Sequence, residues 1–242
     1  MSAPEALPLA GCRLLYTRDA EHYARFAPRA RAAGAELDHV PLLATRPRPL
    51  SAADRATLAA ADTLLFTSAN AVRSLGPPPP GKMLVAIGPA TAAALGRVDV
   101  QAPPPFDSEA LLRHWQPRGR QIVIVAAPGG RPLLAEALRR ANRVQLLYSY
   151  ERYNPTPRLP PLPLPQVVLL ASVATGRHLL SSAPQPWLEL LKWRAAIAGL
   201  SGRVAQWAQT QGFKTTFAAE EADESSQLAS IYHWWRQRDK EL

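Results

Sequence analysis

Residues 64–72 read Leu64-Leu65-Phe66-Thr67-Ser68-Ala69-Asn70-Ala71-Val72, and residues 85–91 read Val85-Ala86-Ile87-Gly88-Pro89-Ala90-Thr91. Each opens on a run that is apolar at every position and then passes, through a hydroxyl or a glycine, into small helix-forming residues. An apolar run without alternation fits a strand buried on both faces. Ser68 suits a helix N-cap, and Pro89 suits a first helical position, where its missing N–H costs nothing. The pattern recurs in the second half of the chain. Val168-Leu169-Leu170 runs into Ala171-Ser172-Val173-Ala174, and Ala196-Ile197-Ala198 runs into Gly199-Leu200-Ser201-Gly202-Arg203. Apolar strands alternating with helices imply parallel sheets covered on both faces.

The same grammar extends outward from these segments. Strands are predicted at 13–17, 63–67, 83–88, 121–126, 144–150, 166–170, 195–198 and 214–218. Helices are predicted at 20–33, 69–75, 89–95, 108–115, 133–141, 175–180, 187–193, 202–211 and 225–236, with Ser108 as a cap and Gly34 as a stop. Pro28 implies a kink or a late start in the first of these. Ser51-Ala52-Ala53-Asp54 has the form of a capping box. Glu220, Glu221, Asp223 and Glu224 read as a solvated helix start, and Trp234-Trp235 as the contact of the last helix with a sheet. Proline punctuates the chain at 25 positions, and six of the eleven residues from Pro155 to Pro165 are proline, which marks an extended connector and a lobe boundary. A second crossing lies at Pro41–Pro49. With 242 residues, two small sheets are favoured over one.

Composition excludes several classes. Hydrophobic residues at 47% and charged residues at 19% rule out a wholly disordered chain. No stretch approaches the ~20 apolar residues of a membrane helix. The single cysteine, Cys12, excludes an intrachain disulfide and a multi-thiolate zinc site, and five dispersed histidines offer no paired metal ligands. Leu9-Ala10-Gly11-Cys12 resembles a lipoprotein cleavage box. The residues before it include Pro4, Glu5 and Pro8 and no Lys or Arg, so a secretory signal is not expected and the chain reads as cytoplasmic. Lys+Arg minus Asp+Glu is 28 − 19 = +9. That balance fits nucleic acid, a small polyanion or a general solubility charge, and the scatter of the cations weakens the first.

The chemistry is placed by the sheet type. Ligands of open parallel sheets bind beyond the carboxyl ends of the strands, where helix N-termini offer free N–H groups and partial positive charge. Ser68 and Thr91 in one half, and Ser172 and Ser201 in the other, fall there. Each is either a ligand donor or an ordinary cap, and their repetition in both halves points to a shared anionic ligand. Arg18 follows the first strand, as an anion contact or a solvated side chain, and Gly129-Gly130-Arg131 is a further anion loop. There is no GK[ST] after it, no GxGxxG and no GxSxG. Tyr148, Tyr150 and Tyr153 cluster before the Pro-rich connector. Strand alternation would put Tyr148 and Tyr150 on one face. A phenol with pKa near ~10 is a proton donor at neutral pH, although covering a strand is the commoner role.

In order along the chain, Leu14-Leu15-Tyr16-Thr17-Arg18, Gly34, residues 66–72, residues 86–91, Gly129-Gly130-Arg131, Tyr150-Glu151-Arg152, Ser172, Ser201-Gly202-Arg203-Val204-Ala205 and Gly212-Phe213 resemble the uroporphyrinogen-III synthase family over nearly the whole chain. The resemblance implies an α/β protein of two flavodoxin-like lobes, each a parallel sheet flanked by helices, joined by a two-segment crossing. Lobe 1 would comprise residues 10–39 and 156–242, lobe 2 residues 50–146, and the connectors residues 40–49 and 147–155. The implied activity is that of a lyase, which closes hydroxymethylbilane with inversion of ring D to give uroporphyrinogen III, without cofactor or metal. The implied partner is this small polycarboxylate, with no nucleic acid and no membrane, and the chain is expected to be a monomer. Tyr150 is the implied proton donor. Thr17, Arg18, Ser68, Asn70, Thr91, Gly129, Gly130, Arg131, Ser172 and Ser201 are the implied substrate contacts. A non-catalytic two-lobed sensor or scaffold binding a small polyanion is the alternative.

Overall fold

The computed structural model describes residues 7–238. In chain order the elements are β1 (Arg13–Tyr16), α1 (Ala20–Ala32), β2 (Glu36–His39), β3 (Ala44–Pro47), α2 (Ala52–Ala60), β4 (Thr63–Phe66), α3 (Ala69–Leu75), β5 (Met83–Ala86), α4 (Pro89–Leu95), β6 (Val100–Gln101), α5 (Ser108–His114), β7 (Gln121–Ala126) and α6 (Leu133–Arg139). There follow β8 (Arg143–Tyr148), β9 (Tyr150–Tyr153), β10 (Val167–Leu170), α7 (Val173–Ser182), α8 (Gln185–Arg194), β11 (Ala196–Gly199), α9 (Gly202–Thr210), β12 (Thr215–Ala218) and α10 (Glu224–Arg238). They form two compact units. One runs to Ala44 and resumes at Tyr153; the other is Thr45–Arg152.

The discontinuous unit holds a five-stranded sheet in the order β12-β11-β10-β1-β2, and every neighbouring pair is parallel. Counted within the unit, the order is 2-1-3-4-5, which reverses between β1 and β10. The strands are apolar throughout because both faces are covered. Leu14, Tyr16, Val167 and Leu169 enter one core with α1 and α10, while Leu15, Val168 and Leu170 enter the other with α7, α8 and α9. α1 begins at Asp19, whose carboxylate accepts from the His22 N–H, and it runs unbroken through Pro28. Gly34 follows at φ +91, with Leu7 pressed against the place a Cβ would take. α7 and α9 meet at Gly176, where an added Cβ would lie 2.0 Å from Trp207 Cζ3.

The continuous unit holds a second all-parallel five-stranded sheet, ordered β6-β5-β4-β7-β8. Counted within the unit this is 3-2-1-4-5, reversing between β4 and β7. Leu64, Phe66, Val123 and Val125 face one core, and Leu65, Ile122 and Ile124 face the other. Truncating a buried side chain such as Leu65 to Ala would cost about 2–5 kcal/mol. The capping box at Ser51 and Asp54 starts α2 as its sequence announces. β3 and β9 make a separate two-stranded sheet.

Four local expectations need correction. The strand predicted over 144–150 is broken at Ser149, which separates β8 from β9, so simple alternation does not relate Tyr148 to Tyr150. The break follows from the hydrogen bonds of Ser149, which donates its N–H to the Ala126 carbonyl at 3.1 Å and accepts from the Arg48 N–H at 2.8 Å. The cap of α5 is Asp107 rather than Ser108, since the aspartate accepts from the Ala110 N–H at 2.7 Å. Of the two outcomes Pro28 implied, the late start does not occur, since α1 begins at Ala20. Finally, Glu224 is not solvated; its side chain is 11% exposed and bound to Tyr16 and Arg18.

Candidate functional site

In the continuous unit the sheet order reverses between β4 and β7, so ligand-binding loops are expected after Phe66 and Ala126. Ser68 follows β4 and caps α3 in extended backbone, its Oγ accepting from the Ala71 N–H at 3.2 Å. The same oxygen lies 3.0 Å from Tyr150 Oη. Tyr150 opens β9 and is almost wholly buried. Its neighbour Ser149 fixes the approach by donating its hydroxyl to the Ala71 carbonyl at 3.2 Å. One turn of α3 thus presents both an amide to the serine and a carbonyl to the residue before the tyrosine. Arg152 crosses the phenol, with Nη2 at 3.5 Å from the hydroxyl and the guanidinium carbon 5.8 Å from the ring centroid.

These residues border a cavity of about 390 Å³. Ile124, Leu134 and Leu146 line it with apolar side chains, Arg131, Arg139 and Arg152 with basic ones, and Glu136 with an acid. Thr67, Ser68, Tyr148 and Tyr150 supply hydroxyls, and Gly130 leaves main chain exposed beside them. An apolar lining with a few convergent polar groups suits a small organic ring carrying acids. A larger hollow of about 710 Å³ lies in the same unit at the opposite strand ends, beside Lys82 and Arg120, and its lining holds no hydroxyl. Arg131 is occupied by Glu109 in a two-point ion pair at 2.6 and 3.0 Å. That pair raises the guanidinium pKa and holds the Glu109 carboxyl below its ordinary range.

Not every expected contact of this unit reaches the cavity. Thr91 stands in the first turn of α4 and is buried. Asn70 accepts from Arg73 at 2.7 Å, along its own helix. Gly129 turns the chain at φ +79 just ahead of the cavity wall. Among the described residues, Ser68, Gly130, Arg131 and Tyr150 are the expected contacts that share the cavity.

In the discontinuous unit the others follow the carboxyl ends of β1, β10 and β11. Thr17 is fully buried and donates its hydroxyl to the Leu169 carbonyl at 2.5 Å. Arg18 donates to Glu224 Oε1 at 3.0 Å, and its own carbonyl lies 2.8 Å from His39 Nε2. The Tyr16 hydroxyl donates to the same Glu224 oxygen. Burial, then the bond to Glu224, push the Tyr16 phenol well above its ordinary pKa. Ser172 caps α7, accepting from the Thr175 N–H at 3.1 Å, and Ser201 opens α9 without a side-chain cap bond. Those two serines follow adjacent strands, since Leu170 and Gly199 are partners in the sheet.

Sequence reasoning did not single out Arg139 or Glu109, and it gave Glu224 to solvent. The only signal for Arg139 is its place one turn after Glu136 on α6, and the only signal for Glu109 is its place in the first turn of α5.

The uroporphyrinogen-III synthase (HemD) family model matches residues 24–229. No sequence among the curated proteins matches the chain. Among solved structures, a uroporphyrinogen-III synthetase from Helicobacter pylori aligns at TM-score 0.61 and 17% identity, covering 92% of this chain and 99% of its own. A mutant uroporphyrinogen III synthase from Thermus thermophilus aligns at TM-score 0.58 and 20% identity, covering 94% and 100%. At these identities the structural likeness speaks for the fold, and the family match covers most of the chain.

Proposed function

The chain belongs to the uroporphyrinogen-III synthase family and is a lyase that forms uroporphyrinogen III from hydroxymethylbilane, and on that premise we propose that the cavity bordered by Ser68 and Tyr150 is where its chemistry begins. The single observation that carries this reading is the 3.0 Å contact between Ser68 Oγ and Tyr150 Oη at the wall of a cavity lined by apolar side chains and three arginines. At about 390 Å³ the cavity is at the small end of ligand sites. It suits one substituted pyrrole of the linear substrate rather than all four.

The reaction begins when the C–O bond of the ring A hydroxymethyl group breaks. Tyr150 gives its phenolic proton to the departing oxygen, so that water leaves and the cationic azafulvenium remains beside the phenolate. Ser68 donates to the phenolate that this creates and keeps the tyrosine oxygen in place. Ring D then attacks through its substituted carbon, the resulting spiro intermediate fragments and recloses inverted, and the proton that ring D loses on regaining aromaticity returns to the Tyr150 oxygen. Uncatalysed closure gives the uninverted isomer, so most of the protein's task is orientation and electrostatic stabilisation. Arg131, Asn70, Thr91 and the amides of Gly129 and Gly130 in one unit, with Thr17, Arg18, Ser172 and Ser201 in the other, are assigned to substrate carboxylates. The lobes are assigned to residues 10–39 with 156–242 and to residues 50–146, and residues 40–49 and 147–155 to the connectors.

Among the described residues no helix is long and apolar enough to cross a membrane. The reading takes the enzyme to be cytoplasmic and monomeric, with the bilane as its partner and nucleic acid as none. Tyr150→Phe tests the central assignment. It removes one O–H and keeps the ring, so turnover to the type III isomer should fall by about 10²-fold, at the low end for a lost general acid. Unchanged turnover would remove Tyr150 from the chemistry.

A further inference from the structure

The Arg131 fork, assigned above to a substrate carboxylate, already holds one. Glu109 receives both of its N–H groups, at 2.6 and 3.0 Å. The side-chain cap of α5 is Asp107, so Glu109 is not needed for that role. The pair does little for the fold either. The Arg131 and Glu109 side chains are 63% and 39% exposed, and pairs so open to water contribute little to stability. Glu224, which faces Arg18 in the other unit, is different. Its side chain is 11% exposed and also anchored by Tyr16. What the exposed pair does alter is the site beside it, for Arg131 lines the cavity while Glu109 cancels its charge.

We propose that Glu109 is an internal competitor that occupies the Arg131 fork until a carboxylate of the substrate displaces it, and so sets the affinity and salt sensitivity of the cavity. This rests on the reading of the cavity as the substrate site. The opposite role, in which Glu109 orients Arg131 for the substrate, predicts an effect of opposite sign when the glutamate is neutralised. An exchange of one carboxylate for another on a planar guanidinium keeps the two-point geometry, and the displaced Glu109 carboxylate, already 39% exposed, is released to water.

The test compares full-length wild type, Glu109→Gln, Arg131→Ala and the double variant. Fluorescence titration with uroporphyrin, the octacarboxylate formed by oxidising the product, reads the affinity, and the KM for hydroxymethylbilane reads it in turnover. Glu109→Gln should lower both constants by about threefold, the scale of one exposed ion pair, and should steepen their salt dependence. In the Arg131→Ala background the same substitution should change nothing. An unchanged or weakened affinity would overturn the proposal, as would a gain that persists without Arg131. Wild-type protein that forms no type III isomer would instead defeat the functional reading on which the competition rests, and the isomer assay reports that separately.

Discussion

At Ser68 one oxygen has two tasks. It caps α3 through the Ala71 N–H and meets the Tyr150 hydroxyl. The sequence motif offered capping and ligand binding as alternatives, and the structure joins the first to a contact with the tyrosine of interest. Cys12 offers a second test at this scale. It is fully buried in the core with α1 and β1, and burial pushes its thiol from 9.0 up to about 12, a little offset by Arg238. A raised folded-state pKa means that the native chain keeps a proton which the unfolded chain releases. The contribution is intact below about pH 9 and is lost as the pH climbs toward 12. Between pH 8 and pH 10 it should fall by about 1.4 kcal/mol. Denaturant unfolding at pH 8 and pH 10 should show that loss in wild type and a smaller one in Cys12→Ala. Equal slopes in the two proteins would refute it.

At the scale of elements, the helix pair α7 and α9 depends on a missing side chain. A Cβ on Gly176 would sit 2.0 Å from Trp207 Cζ3 and 2.5 Å from Cη2. Gly176→Ala would gain up to about 1 kcal/mol of helix propensity. It would lose more by driving a methyl into an indole that is already packed, since overpacking costs about 1–3 kcal/mol and this contact is severe. The melting temperature should drop by a few degrees, at about 2–4 °C per kcal/mol for a chain of this size. A rise would show that Trp207 swings away without penalty. The elements themselves were readable wherever both faces of a strand are buried, as in β4, β5, β7, β10 and β11, because an unbroken apolar run admits few other interpretations. β2 escaped because Glu36-Leu37-Asp38-His39 is poor in strand-forming residues, and β6 because it is two residues long. The break at Ser149 escaped because it is set by hydrogen bonds to Arg48 and Ala126, far away in sequence.

Over the whole molecule, the order of motifs along the chain carried more than any one of them. Each of the two parallel sheets has a point where strand order reverses, after β1 and β10 in one and after β4 and β7 in the other, and the expected contacts Thr17, Arg18, Ser172 and Ser68 follow those strands. The acids facing the arginines were not legible. Glu109 and Glu224 meet Arg131 and Arg18 only through tertiary structure, at separations of 22 and 206 residues. The decisive measurement is the isomer composition formed from hydroxymethylbilane with and without the protein. The fold, the family and the Ser68–Tyr150 site together predict that type III dominates when the protein is present. The same yield of type I in both tubes would contradict the account.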